Sequence, residues 1–131
     1  MGLHHVQIAA PPGSEDLLRR FYGALGFVEV GKPAVLAARG GCWFTLGDTH
    51  SAELHVGIEE PFVPARKAHP AFNADVDAMA LLVATAGGEV VWADQEEWGG
   101  SPLAGLRRFH THDPVGNRLE MVGRGAAGSR S

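Results

Sequence analysis

The sequence predicts an α+β protein of two βαβββ modules, side by side, whose strands form a cup-shaped mixed sheet with the helices on its outer face. Three observations carry that prediction. The order strand, helix, strand, strand, strand occurs twice, the second run starting after about 60 residues. Each half holds one stretch with apolar residues at helical spacing, set among short stretches of strand character bounded by Gly and Pro. The 131 residues are 45% hydrophobic and 20% charged, ordinary values for one globular domain with a real core.

The first module is expected over residues 3–57. Residues 3–10 read as a strand, since Val6 and Ile8 alternate with His5, Gln7 and Ala9, and Pro11-Pro12-Gly13 breaks it. Ser14 is the expected N-cap, with Glu15 and Asp16 near the positive end of the helix dipole. Leu17, Leu18, Phe21, Tyr22 and Leu25 then recur at helical spacing, and Gly26 supplies the stop. Residues 27–30, 42–46 and 52–57 complete the module as strands, with a turn at Gly47-Asp48. Residues 58–68, with two prolines and no period, are the expected linker.

The second module is expected over 69–123. Residues 69–76 read as a strand with Pro70 near its start, where proline is tolerated. Asp77 is read as the cap of a helix carrying Met79, Leu82 and Val83, which Gly87-Gly88 ends. Strands follow at 89–92, 106–111 and 118–122, with a loop over 96–105 and a turn at Asp113-Pro114-Val115-Gly116-Asn117. Residues 124–131 are the expected disordered tail.

Eleven Lys+Arg against fifteen Asp+Glu argue against a nucleic-acid partner, which usually meets a basic face. No apolar run approaches the ~18–20 residues of a membrane span, and no secretory signal is expected. The single Cys42 forms no intrachain disulfide, which fits the cytoplasm, and no His/Asp partner is indicated near it that would make it a nucleophile. Seven histidines is a high count and raises a metal site of imidazole and carboxylate.

Strand period decides which side chains face the cup. With Val6 and Ile8 packed under the helix, His5 and Gln7 face inward, and His4 is expected on or beside the packed side. With Leu54 and Val56 packed, Glu53 and His55 face inward; with Leu119 and Met121 packed, Glu120 does. His69 opens the second module where His5 opens the first, and Glu120 matches either Glu53 or His55. Polar groups buried without partners cost several kcal/mol, so this set points to a divalent ion: Fe, Mn, Co, Ni or Zn. Trp43 is a candidate for the pocket mouth. Arg108 shares a face with His110 opposite Phe109 and is a candidate for binding an anionic group. His50 and His112 are read as solvated turn residues.

The HHVQIA start, the SEDLLRRFYGALGF helix, the AHPAF restart and above all DPVGNRLEMV resemble the vicinal oxygen chelate superfamily, the glyoxalase/bleomycin-resistance/dioxygenase group, over about residues 3–123. The resemblance implies paired modules around a divalent metal that takes two adjacent oxygens of a small-molecule substrate and stabilises the developing oxyanion. It places ligands at His5, His69 and Glu120, positions that metal-free bleomycin binders lack. The fourth falls on Glu53 or His55; the apolar-His-apolar setting favours His55, leaving Glu53 to orient it or to act as a base, and Glu120 as the other carboxylate able to shuttle a proton. The expected protein is thus a metal-dependent isomerase, lyase or dioxygenase. The alternatives are a protein that sequesters a drug or metabolite and a dimeric scaffold with no chemistry left. A homodimer with sites at the module–module interface is expected.

Overall fold

The computed structural model describes residues 1–47, 52–93 and 106–123. The expected loop over 96–105, His50 and the tail at 124–131 lie outside the described residues. Among those described, module 1 contains β1 (His5–Ala10), α1 (Glu15–Ala24), β2 (Phe27–Val30), α2 (Ala34–Ala37), β3 (Cys42–Leu46) and β4 (Glu53–Ile58). Module 2 contains β5 (Ala71–Asn73), α3 (Val76–Thr85), β6 (Val91–Ala93), β7 (Arg107–His112) and β8 (Arg118–Gly123). The fold is α+β: two four-stranded mixed sheets, ordered β1-β4-β3-β2 and β5-β8-β7-β6. In each, the first and last strands of the module run parallel and the rest antiparallel. No described helix is long and apolar enough to cross a membrane.

The modules share one core. Leu18, Phe21 and Tyr22 of α1 are buried with Phe27, Phe44, Leu54 and Val56, and this cluster runs on to Val76, Met79, Val83, Phe109, Leu119 and Met121 of module 2. Phe27 and Phe72 meet edge to face across the two modules, with ring centroids 5.2 Å apart. The DPVGN turn pins the join. Asp113 Oδ1 accepts the N–H groups of Val115 and Asn117, and its Oδ2 accepts the Tyr22 hydroxyl at 2.7 Å. The Asn117 side-chain amide donates to Asp113 Oδ2 and to the Ala9 carbonyl at 2.8 Å. The most specific motif of the sequence therefore ties β8 to β1 and α1.

Several boundaries differ from expectation for local reasons. Asp75, not Asp77, caps α3: its carboxylate accepts the Ala78 N–H. Ser14 is the N-cap of α1 as expected, but its hydroxyl donates back to the Pro11 carbonyl and makes no capping hydrogen bond. β5 is only three residues long, because His69 is held by the Lys67 carbonyl and Pro70 has no N–H to give a ladder; its carbonyl still accepts the Glu120 N–H. The single-turn α2 was not foreseen, and β6 starts at Val91.

Candidate metal centre

The inward residues of each module meet their own kind. In module 1, His55 sits in the middle of β4, between buried Leu54 and Val56, and is itself buried. Its ring stacks on Trp43 of β3 on one side, 3.9 Å between centroids, and on His5 at 4.0 Å. Its Nε2 is 2.8 Å from Glu53 Oε1. Burial holds His55 below the ordinary imidazole value, against the hydrogen bond to Glu53, which acts to raise it. His4 does not lie on the packed side. It precedes β1, is exposed, and places its Nδ1 2.9 Å from His5 Nδ1.

In module 2, Glu120 is the counterpart. Its Oε1 lies 2.8 Å from His69 Nε2 and 3.2 Å from His110 Nε2, and its Oε2 lies 3.6 Å from an Arg108 guanidinium nitrogen. Burial opposes its ionisation, but the hydrogen bond with His69 and the positive charge of His110 and Arg108 outweigh burial and hold the carboxyl below its ordinary value. His69 Nδ1 donates to the Lys67 carbonyl at 2.7 Å, which turns Nε2 toward the carboxylate. An imidazole ligand is commonly oriented in this way, one nitrogen on a carbonyl and the other free for an ion. Burial, reinforced by the charge of Arg118, holds His110 below the ordinary imidazole value. Its Nε2 is buried and makes no hydrogen bond among the described residues. The ligand atoms of His69, His110 and Glu120 lie within 4.8 Å of one another, the one such group among the described residues. A buried imidazole nitrogen that makes no hydrogen bond among the described residues, 3.2 Å from a carboxylate that already faces a second imidazole, suits a divalent ion of the Fe–Zn series.

Cross-strand register relates the two clusters. Gln7 pairs with His55, and His55 with Trp43; Ala71 pairs with Glu120, and Glu120 with His110. His55 and Glu120 thus occupy equivalent places, each flanked by two buried apolar residues. His5 and His69 each lie two residues before the register partner. Glu53 corresponds to Arg118, since the first faces Thr45 and the second His112.

The structure brings His69 and Glu120 together, and His5 and His55 together; His5 and His55 fall outside the group of three in module 2. Gln7 is exposed and Trp43 half-buried, both in the row of His55. Arg108 does face Glu120, with Phe109 packed behind it. His110 was missed as a donor. The alternation that placed Arg108 inward places it too, but its position opposite Glu120 needed the strand register. His112 ends β7 and is exposed. Cys42 is buried and its thiol is pushed up to about 11, chiefly by burial. Beside His69 a cleft of about 410 Å³ runs along β1, lined by Val6, Ile8, Phe62 and Val63 and reaching Arg118.

Neither a protein-family model nor a curated protein matches the chain. Solved structures do. A glyoxalase family protein from Bacillus anthracis is 39% identical, with a TM-score of 0.79 and 95% of each chain covered. A glyoxalase/dioxygenase from Nostoc punctiforme shares the fold at 21% identity and a TM-score of 0.66, over 94% of this chain and 90% of that one. So does the fosfomycin resistance protein FosX of Listeria monocytogenes, at 12% identity and a TM-score of 0.64, over 98% and 97%. Paired βαβββ modules with inward imidazoles and carboxylates define a class of cup-shaped proteins. Within it, the chain belongs to the glyoxalase family of the vicinal oxygen chelate superfamily.

Proposed function

We propose that the protein is a cytoplasmic metal-dependent enzyme acting on a small oxygenated substrate, with His5, His55, His69 and Glu120 as the residues that hold the ion. The observation that carries this is the matched register of His55 and Glu120, with an imidazole two residues upstream of each partner, in a family member whose module 2 sets the His110 Nε2, which makes no hydrogen bond among the described residues, 3.2 Å from the same carboxylate. A bound divalent ion supplies Lewis-acid polarisation of two adjacent substrate oxygens. The chain's own residues do the rest. His69, His110 and Arg108 keep Glu120 ionised, as a ligand must be. Glu53, hydrogen-bonded to His55 and partly exposed, is the carboxylate we assign to proton transfer with substrate. Trp43 and Gln7 flank His55, where a substrate would lie. We further propose a homodimer in which module 1 of one chain completes the site of module 2 of the other, since one chain groups its candidate ligands as two separate halves.

Elemental analysis of freshly purified protein tests the reading. A stoichiometric divalent ion is expected, and His5→Ala, His69→Ala and Glu120→Ala should each weaken its binding at least about tenfold, because each removes a direct bond. The competing reading is sequestration of a drug or metabolite without chemistry. It is favoured by the contacts that satisfy His55 with Glu53 and His69 with Glu120 without an ion. Metal-free protein whose small-molecule binding is unchanged by all three substitutions would establish it.

A further inference from the structure

A second cleft, of about 230 Å³, opens beside the inward row of module 1. Gln7 and Trp43 line it from the sheet, and Lys32, Leu36 and Arg39 line it from the segment that joins β2 to β3. That segment is shaped by α2, whose single turn sets Leu36 against the cleft. Lys32 donates its ammonium to the Gly40 carbonyl and stands over Trp43, 6.0 Å from the ring centroid. The lining carries two cations and no carboxylate. Glu15, which approaches Gly40, is engaged by the Gly41 N–H at 2.9 Å. Trp43 stacks on His55 and His55 on His5, so the wall of this cleft is continuous with the candidate ligands of module 1.

We propose that Lys32 and Arg39 form a subsite for the anionic end, a carboxylate or a phosphate, of the molecule held at the candidate metal centre; the inference rests on the reading of that centre given above. The substrate class is then a small organic anion with an apolar body. Adjacent oxygens lie at the histidines, the body lies against Trp43 and Leu36, and the charged end meets two cations. Charge-assisted hydrogen bonds to an ammonium and a guanidinium are the strong kind, and Arg adds a planar two-point grip. Neither cation is needed by the core: Arg39 is exposed, and Lys32 is half-buried at the cleft edge.

The test uses metal-free protein, so that it does not depend on the ion. The indole N–H signal of Trp43, assigned with Trp43→Phe, is followed by NMR during titration with benzoate, with inorganic phosphate and with benzyl alcohol as the neutral control. A saturable shift is expected with at least one anion, and the tighter of the two identifies the end group. The double variant Lys32→Gln/Arg39→Gln should weaken that anion at least about tenfold and leave benzyl alcohol unaffected. The control Arg66→Gln/Lys67→Gln should bind as wild type. No shift with either anion, or equal affinity in the double variant, overturns the subsite. Metal affinity, measured separately, should be the same in the double variant and wild type, so a failed metal centre and a failed subsite give different results.

Discussion

Tyr22 is fully buried, and its hydroxyl proton goes to a carboxylate of the other module. Burial, then the Asp113 charge, pushes its ionisation well above the ordinary phenol range, so it is a donor at every working pH. Tyr22→Phe keeps the ring in its aromatic cluster and leaves Asp113 with its bonds to Asn117 and Val115. The expected loss is about 1.5–3 kcal/mol, the net worth of a hydrogen bond to a charged group, read from urea unfolding. The imidazoles of buried His55 and part-buried His110 set a pH dependence. His55 and His110 are both held below the ordinary value by burial. The unfolded chain therefore binds protons more readily near pH 6.5 than the folded one, and stability is lost as pH falls through the 6s. Glu120, held below the carboxylate value of 4.5, acts in a lower window, its contribution disappearing as pH drops below that value. Metal-free protein should show a falling urea midpoint from about pH 7.5 to about 5.5, and His55→Gln/His110→Gln should flatten that slope. At this scale the sequence put Arg108 on the face that meets Glu120, because alternation along one strand is local, while His4, just outside its strand, escaped that rule. It did not show that His110 sits opposite Glu120, because register belongs to two strands at once.

α1 was legible because its apolar residues recur over nearly three turns, and Leu18, Phe21 and Tyr22 are the buried face. α2 was not, since a single turn of Ala34–Ala37 is too short to display a period. The strands β2 and β3 fell where expected; β5 was shorter because Pro70 and the His69 side chain take the chain out of the ladder. Glycine holds the end of the α2 segment against β4. Gly41 has φ +83°, and a Cβ there would run into the Val56 backbone carbonyl oxygen, which cannot move without breaking the sheet. Gly41→Ala should therefore destabilise the fold by more than about 2 kcal/mol, left-handed strain plus a backbone clash, and should lower the thermal midpoint. If the segment carries an anion subsite, the same variant tests the placement of Lys32, whose ammonium is held by the neighbouring Gly40 carbonyl.

At the scale of the molecule, the repeat in element order was enough to give two modules of matching topology, but each module closes its own four-stranded sheet where one continuous mixed sheet was expected. How the halves meet was beyond the sequence: the shared core, the Phe27–Phe72 contact and the Asp113–Asn117 clamp are long-range and appear only in three dimensions. The clamp joins the modules within a chain, and yet His5 and His55 do not enter the cluster of His69, His110 and Glu120. A two-fold dimer would supply each half with its complement from the other chain. Complementation between inactive chains distinguishes this from a site closed within one chain. His5→Ala/His55→Ala and His69→Ala/Glu120→Ala are each expected to bind metal poorly as pure proteins. Mixed and allowed to exchange, they form dimers in which an intact module 1 from one chain faces an intact module 2 from the other. Those dimers should regain one tight metal site, and mass spectrometry under native conditions should find the ion only on the mixed species. A site closed within each chain would regain none, and a monomeric mass at micromolar concentration would remove the dimer altogether.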